Sequence, residues 1–176
     1  MSGRPGHPQQ NLPDPTIRMA EGWHCLHVYY RVDPAELKQL DASARGEGRE
    51  QLAEILNPQR DGAPERMQVS AVSGHRADLG LMLLDADPLK LDAVHQAVRG
   101  SRLGSALQPT YSFVSITEVS EYVPNEEQYA EQLRFDGMSE DDPAYAARLK
   151  AYAGRLPAMN KQRLYPDFPE NFEVTC

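Results

Sequence analysis

Apolar and polar positions alternate along this chain in four separate stretches. In residues 23–32 (WHCLHVYYRV), period two puts Trp23, Cys25, His27, Tyr29 and Arg31 on one face of a strand. His24, Leu26, Val28, Tyr30 and Val32 fall on the other, which is the more uniformly apolar. Residues 67–73 (MQVSAVS) alternate as well, and 77–84 (ADLGLMLL) read as a strand buried for most of its length. The residues between them, 74–76, suit a tight turn, so the pair is expected as a hairpin. Residues 111–122 (YSFVSITEVSEY) close the series as one long strand.

Between these strands the period changes to that of a helix. Asp33 and Pro34 form an N-cap and first-turn pair with Glu36 behind them. Leu37, Leu40, Ala44, Leu52, Ile55 and Leu56 then recur at helical spacing, with Gly46 and Gly48 expected to break or kink the helix and Asn57-Pro58 to stop it. Asp87-Pro88 repeats the start signal, and Leu89, Leu91, Val94, Ala97 and Val98 carry an amphipathic helix to about Gly100. The order β-α-β-β-α-β predicts an α+β fold of the ferredoxin-like type, with both helices on one face of an antiparallel sheet. The bare face, with Trp23, Tyr29, Tyr111 and Phe113, calls for a second layer from the same chain or another subunit.

The flanks have a different character. Residues 1–20 hold Pro5, Pro8, Pro13 and Pro15 among Gly, Gln and Asn, and read as an extended arm. The sheet domain is expected over 21–122, and 123–176 as a helical extension. Within the latter, residues 143–153 form a helix capped by Asp141 or Asp142. The closing FEVTC has strand composition and reads as a strand cut short.

Composition narrows the function classes. At 176 residues, 40 % hydrophobic and 25 % charged, one core is the default. No run nears the roughly 20 apolar residues of a membrane span. The first residues lack the apolar centre of a secretory signal, so the cytoplasm is expected. Cys25 and Cys176 give neither zinc spacing nor a disulfide framework. A formal charge of −8 argues against broad nucleic-acid binding, although a few placed arginines can still hold an anion.

The strong catalytic motifs are absent: no glycine-rich phosphate loop, nucleophile elbow, HExxH or CxxC. His24 and His27, three apart on a strand, point to opposite faces and are not expected to share a metal. His75 lies in the turn Ser-Gly-His-Arg-Ala-Asp, where a loop histidine can serve a ligand, though turn or surface packing is the simpler reading. His95 belongs to a helix face, and most carboxylates, such as Glu118, Glu121 and Asp136, solvate the surface. Tyr111, Tyr122 and Tyr165 sit in or beside strands, where a phenol packs or donates to an anionic ligand. Arg163, before the proline-flanked terminal segment, is the basic residue that stands out.

Taken together, GWHCLHVYYRVD (22–33), SGHRADLGLMLL (73–84), PTYSFVSITEVSEY (109–122) and RLYPDFP (163–169) resemble the chlorite dismutase superfamily, and within it the coproheme decarboxylases. The resemblance implies two ferredoxin-like repeats per subunit, of the dimeric α+β barrel type, with haem bound through a histidine of the second repeat. It also implies assembly as a homo-oligomer, a ring of five in the family. On this resemblance the chain holds the first repeat plus an extension. No catalytic residue is then expected within it, since the Phe-Tyr-Pro-Met-x-Lys motif with the reactive tyrosine would follow Cys176. Arg163 matches the arginine that contacts a porphyrin propionate, and Tyr122 a tyrosine near another. The implied reaction is peroxide-dependent oxidative decarboxylation of iron coproporphyrin III to haem b, with hydrogen peroxide as co-substrate and no other metal, the chain being inactive alone. The alternatives are a haem-dependent chlorite dismutase or peroxidase-like protein, and a non-enzymatic α+β module that dimerises through its bare sheet face.

Overall fold

β1 (His24–Val32) is a central strand, and the rest of the sheet is laid down on its two sides. A computed structural model describes residues 16–168 together with 174 and 175. β2 (Arg66–Val72), β3 (Leu79–Asp85) and β4 (Leu107–Ile116) complete an antiparallel set in the order β4-β1-β3-β2, and the short β5 (Val174–Thr175) pairs parallel to β2 at the far edge. Most of the arm expected over 1–20 lies outside the described residues, as do Phe172, Glu173 and Cys176 of the FEVTC segment.

The helices are α1 (Pro34–Gln39), α2 (Ala42–Ile55), α3 (Pro88–Gly100), α4 (Glu126–Phe135) and α5 (Pro143–Leu164). Asp33 caps α1 by accepting from the Ala35 and Glu36 amides. Asp87 caps α3 through the Leu89 amide and pairs with Arg18 at 2.7 Å. Both aspartates thus bind helical N–H groups that would otherwise lack partners. Proline follows each at the first helical position.

The predicted long helix after Asp33 is two helices, and the break falls at Leu40-Asp41 instead of the glycines. Asp41 opens α2 by accepting from the Ala44 amide, which favours restarting the helix over continuing it. Gly48 sits where a Cβ would come within 2.6 Å of Leu103 Cγ, so it is a close-approach position inside an intact helix. β4 runs from Leu107 to Ile116, shorter at its end than the 111–122 predicted; at Thr117 the Trp23 amide is taken by the side-chain Oγ1. α5 is twice the predicted length and passes through Pro157. α4 has no counterpart among the predicted elements; Asn125 and Gln128 form a capping box at its start.

The core lies between the sheet and the helices. Val28, Tyr30, Leu81 and Leu83 from the strands meet Leu91, Val94 and Val98 of α3, all at most 2 % exposed. Each such side chain contributes about 1.5–3 kcal/mol by leaving water. At the middle of this layer the Tyr30 hydroxyl bonds His95 Nδ1 at 2.6 Å.

The opposite sheet face is covered at one end only. There Trp23, Cys25 and Leu84 form a second small core closed by Tyr165 and Phe168, from the segment after α5. Further along, Tyr111 is 63 % exposed and Phe113 40 %, and Val114 and Ile116 on the other side of β4 are also uncovered. The expected bare face is therefore present, in an α+β ferredoxin-like arrangement.

Candidate functional site

Thr117, just past β4, joins three parts of the chain. Its Oγ1 accepts from the Trp23 amide at 2.7 Å and donates to the Leu164 carbonyl at 2.8 Å, while its own amide donates to the Trp23 carbonyl at 2.8 Å. Tyr165 adds a second tie, its hydroxyl accepting from the Gly22 amide at 3.2 Å, with its ring edge-on to Trp23 at 5.1 Å. On the other side of Trp23 the Arg66 guanidinium stands over the indole at 5.2 Å and pairs with Asp167. The C-terminal end of α5 is thereby fixed to the start of β1 and the end of β4.

Arg163 and Tyr122 hang from this junction. Arg163 lies in the last turn of α5, one residue before Leu164, with an exposed side chain. A cation there also complements the negative end of the helix dipole. Tyr122 is 93 % exposed, in the turn between β4 and α4, five residues beyond Thr117. Among the described residues neither side chain has a hydrogen-bond or ion-pair partner. The junction fixes the backbone next to Arg163, at Leu164, while Tyr122 follows Thr117 by five residues, close to Pro124, which Tyr152 holds.

Below them α4 and α5 pack against each other. Tyr129 stacks on Tyr152 with centroids 4.0 Å apart, and the Tyr152 hydroxyl donates to the Pro124 carbonyl. This fixes the segment that carries Tyr122. Thr117, Arg66 and Asp167 escape a sequence reading because their partners are remote in the chain; Thr117 and Leu164 are 47 positions apart.

The open sheet face carries its own polar groups. Cys25 Sγ and His27 Nε2 are 3.2 Å apart, and the His27 ring stacks on Phe113 at 4.2 Å. Burial pushes the Cys25 thiol up and holds the His27 imidazole below its ordinary value, so the pair is a neutral thiol beside a neutral imidazole. His24 faces away and bonds the Ile17 carbonyl. His75 lies in the loop between β2 and β3, and His95 is held by Tyr30. No group of three or more His, Cys, Asp or Glu among the described residues is placed to hold a metal ion. No helix among them is long and apolar enough to cross a membrane.

The profile of the chlorite dismutase family matches residues 45–167, well over half of the sequence. The chain belongs to the chlorite dismutase family. Among solved structures, a heme-binding protein from Thermus thermophilus is similar at 25 % identity with a TM-score of 0.52, the match covering 80 % of this chain and 53 % of that one. A mutant chlorite dismutase from Candidatus Nitrospira defluvii is 14 % identical, with a TM-score of 0.49 and coverages of 81 % and 68 %. This member of the chlorite dismutase family thus spans about half the length of the Thermus protein.

Proposed function

We propose that this chain supplies the propionate-binding edge of a porphyrin site in a coproheme decarboxylase. The observation that carries the reading is the position of Arg163, an exposed guanidinium on the last turn of α5, next to the Leu164 carbonyl that Thr117 fixes to the sheet. A guanidinium matches a carboxylate with two parallel N–H bonds, and a phenol adds one further donor. Four carboxylates at the edge of iron coproporphyrin III are the kind of ligand that such separated donors fit. Membership of the chlorite dismutase family and the likeness to a heme-binding protein support the choice of ligand.

In this reading Arg163 binds and orients one propionate and Tyr122 donates to another. The bound iron porphyrin, with hydrogen peroxide, supplies the oxidising chemistry. The axial histidine and the reactive tyrosine belong to a second ferredoxin-like repeat outside this chain. Residues 21–122 are the first repeat and 123–176 the extension that carries Arg163 toward it. The working protein is a cytoplasmic homo-oligomer in which the bare sheet face is covered. A haem-dependent chlorite dismutase or peroxidase-like activity would use the same edge for fewer carboxylates.

Porphyrin titrations followed by absorbance test the proposal. The 176-residue chain should bind iron coproporphyrin III weakly and prefer it to haem b, which has two fewer propionates. Arg163→Ala should weaken binding about tenfold or more, the loss of a charge-assisted hydrogen bond. Equal affinity for the two porphyrins, or indifference to Arg163, would sink the assignment. Turnover with peroxide by this chain alone would overturn the division of labour between the two repeats.

A further inference from the structure

The chain's negative charge is concentrated in one stretch. Residues 118–142 hold nine Asp or Glu and a single basic residue, Arg134, a formal −8 that equals the charge of the whole chain. The 22 residues of α5 that follow reverse the sign: Arg148, Lys150, Arg155, Lys161 and Arg163 are basic, and no Asp or Glu stands among them. α4 and α5 meet through the Tyr129 and Tyr152 rings, and no ion pair joins the two helices among the described residues. All five basic side chains of α5 are exposed, and none has a hydrogen-bond or ion-pair partner among the described residues.

Three of the five form a row along one side of the helix, which stays helical through Pro157. At about 100° and ~1.5 Å per residue, Arg148, Arg155 and Arg163 fall within an arc of about 80°, Arg155 about 12 Å and Arg148 about 22 Å behind Arg163. Lys150 and Lys161 fall on another flank, where Lys161 shares a hollow with Glu21 and Glu126. The arginine row therefore ends at Arg163, beside the Leu164 carbonyl that Thr117 ties to the sheet. Guanidiniums are more weakly hydrated than ammonium groups and stay charged at any working pH, so the row is a fixed line of positive charge.

We propose that Arg148 and Arg155 are positioning residues that guide the four-carboxylate porphyrin along α5 to Arg163, while the acidic stretch before α5 turns it away from the other side; this rests on the reading of Arg163 as a propionate ligand. An anion that meets a protein of charge −8 is repelled on average. A row of unpaired cations gives it one favourable line of approach, and fields of this kind raise association rates about tenfold or more. Guidance acts before contact, so it changes the rate of association and leaves dissociation to Arg163. It also grows with the charge of the ligand, so four carboxylates gain more from it than two.

Stopped-flow absorbance on the full chain measures both rates. Arg148→Gln with Arg155→Gln should slow association of iron coproporphyrin III about threefold to tenfold at about 0.01 M salt, and the difference should nearly vanish at about 1 M, as screening shortens from about 30 Å to about 3 Å. Dissociation should stay within about twofold of the parent, Arg148→Lys with Arg155→Lys should restore the association rate, and haem b should be slowed less. Arg45→Gln with Arg49→Gln on α2 removes the same charge elsewhere and should leave association near that of the parent. The proposal is overturned if this control slows association as much as the α5 pair, if the α5 pair associates like the parent, or if its loss appears in dissociation. Arg163→Ala, which should mainly speed dissociation, separates the two readings. Faster dissociation there with unaltered association in the α5 pair sinks the guide alone, whereas indifference to Arg163 sinks the porphyrin edge and the guide with it.

Discussion

Thr117 shows how much one side chain can hold. Thr117→Val keeps the shape but leaves the Trp23 amide and the Leu164 carbonyl without their partner. It should cost about 1–3 kcal/mol, read as a lower urea midpoint, and should weaken porphyrin binding through Arg163 without touching the ligand. Gly22 beside it is as constrained. Its φ is +74°, and a Cβ would lie 2.8 Å from Thr117 Oγ1 and 2.9 Å from the Thr117 carbonyl. The left-handed backbone alone costs an alanine about 1–2 kcal/mol, so Gly22→Ala should destabilise the chain by more than that in the same assay. Neither residue announces itself in the sequence: Thr117 fits the alternation of a strand, and Gly22 precedes one. Arg163 is legible as a basic residue beside a proline-flanked segment, but its anchoring is not, because that depends on contacts between distant parts of the chain.

At the scale of elements, β1, β2 and β3 are readable because each carries apolar side chains of the core, whereas β4 is exposed after Leu107 and is legible from its strand-favouring composition. Boundaries are less so. Asp41 restarts a helix that Gly48, packed on Leu103, does not interrupt. α4 is hidden in an acidic stretch where only Leu133 is buried, too few apolar positions to set a period. The pairing of β1 with α3 also carries a pH dependence. Burial, with Arg99 nearby, holds the His95 imidazole below its ordinary value, and burial does the same for His27. Above the unfolded value, about 6.5, both states are neutral and nothing is lost. Below it the unfolded chain takes up protons first, so stability should fall as pH drops from about 6.5 toward the folded values. Urea unfolding at pH 7.5 and pH 5.5 measures this. Tyr30→Phe should cost about 1 kcal/mol at pH 7.5, since His95 Nδ1 loses its hydrogen bond with the hydroxyl.

The whole molecule presents a sheet edge and face that water covers poorly. β4 is exposed along most of its length, with Tyr111, Phe113, Val114 and Ile116 uncovered, while the chain as a whole carries −8. Apolar surface favours association and like charge opposes it, so salt decides between them: screening shortens from about 10 Å at 0.1 M to about 3 Å at 1 M. Light scattering should therefore show association rising with salt, and Val114→Lys with Ile116→Lys should suppress it at little cost in stability. An association that falls with salt would mean that charge, and not this face, joins the copies. α5 completes the picture at this scale. One end is fastened to the sheet through Leu164, and the middle to α4 through Tyr152, with Pro157 between the two attachments. Proline has no N–H to offer the carbonyl one turn before it, so the ladder is interrupted there and nowhere forced to break. The helix is thus held on both sides of Pro157, so the gap in its ladder costs neither attachment, and the Arg163 end keeps the place that Thr117 gives it.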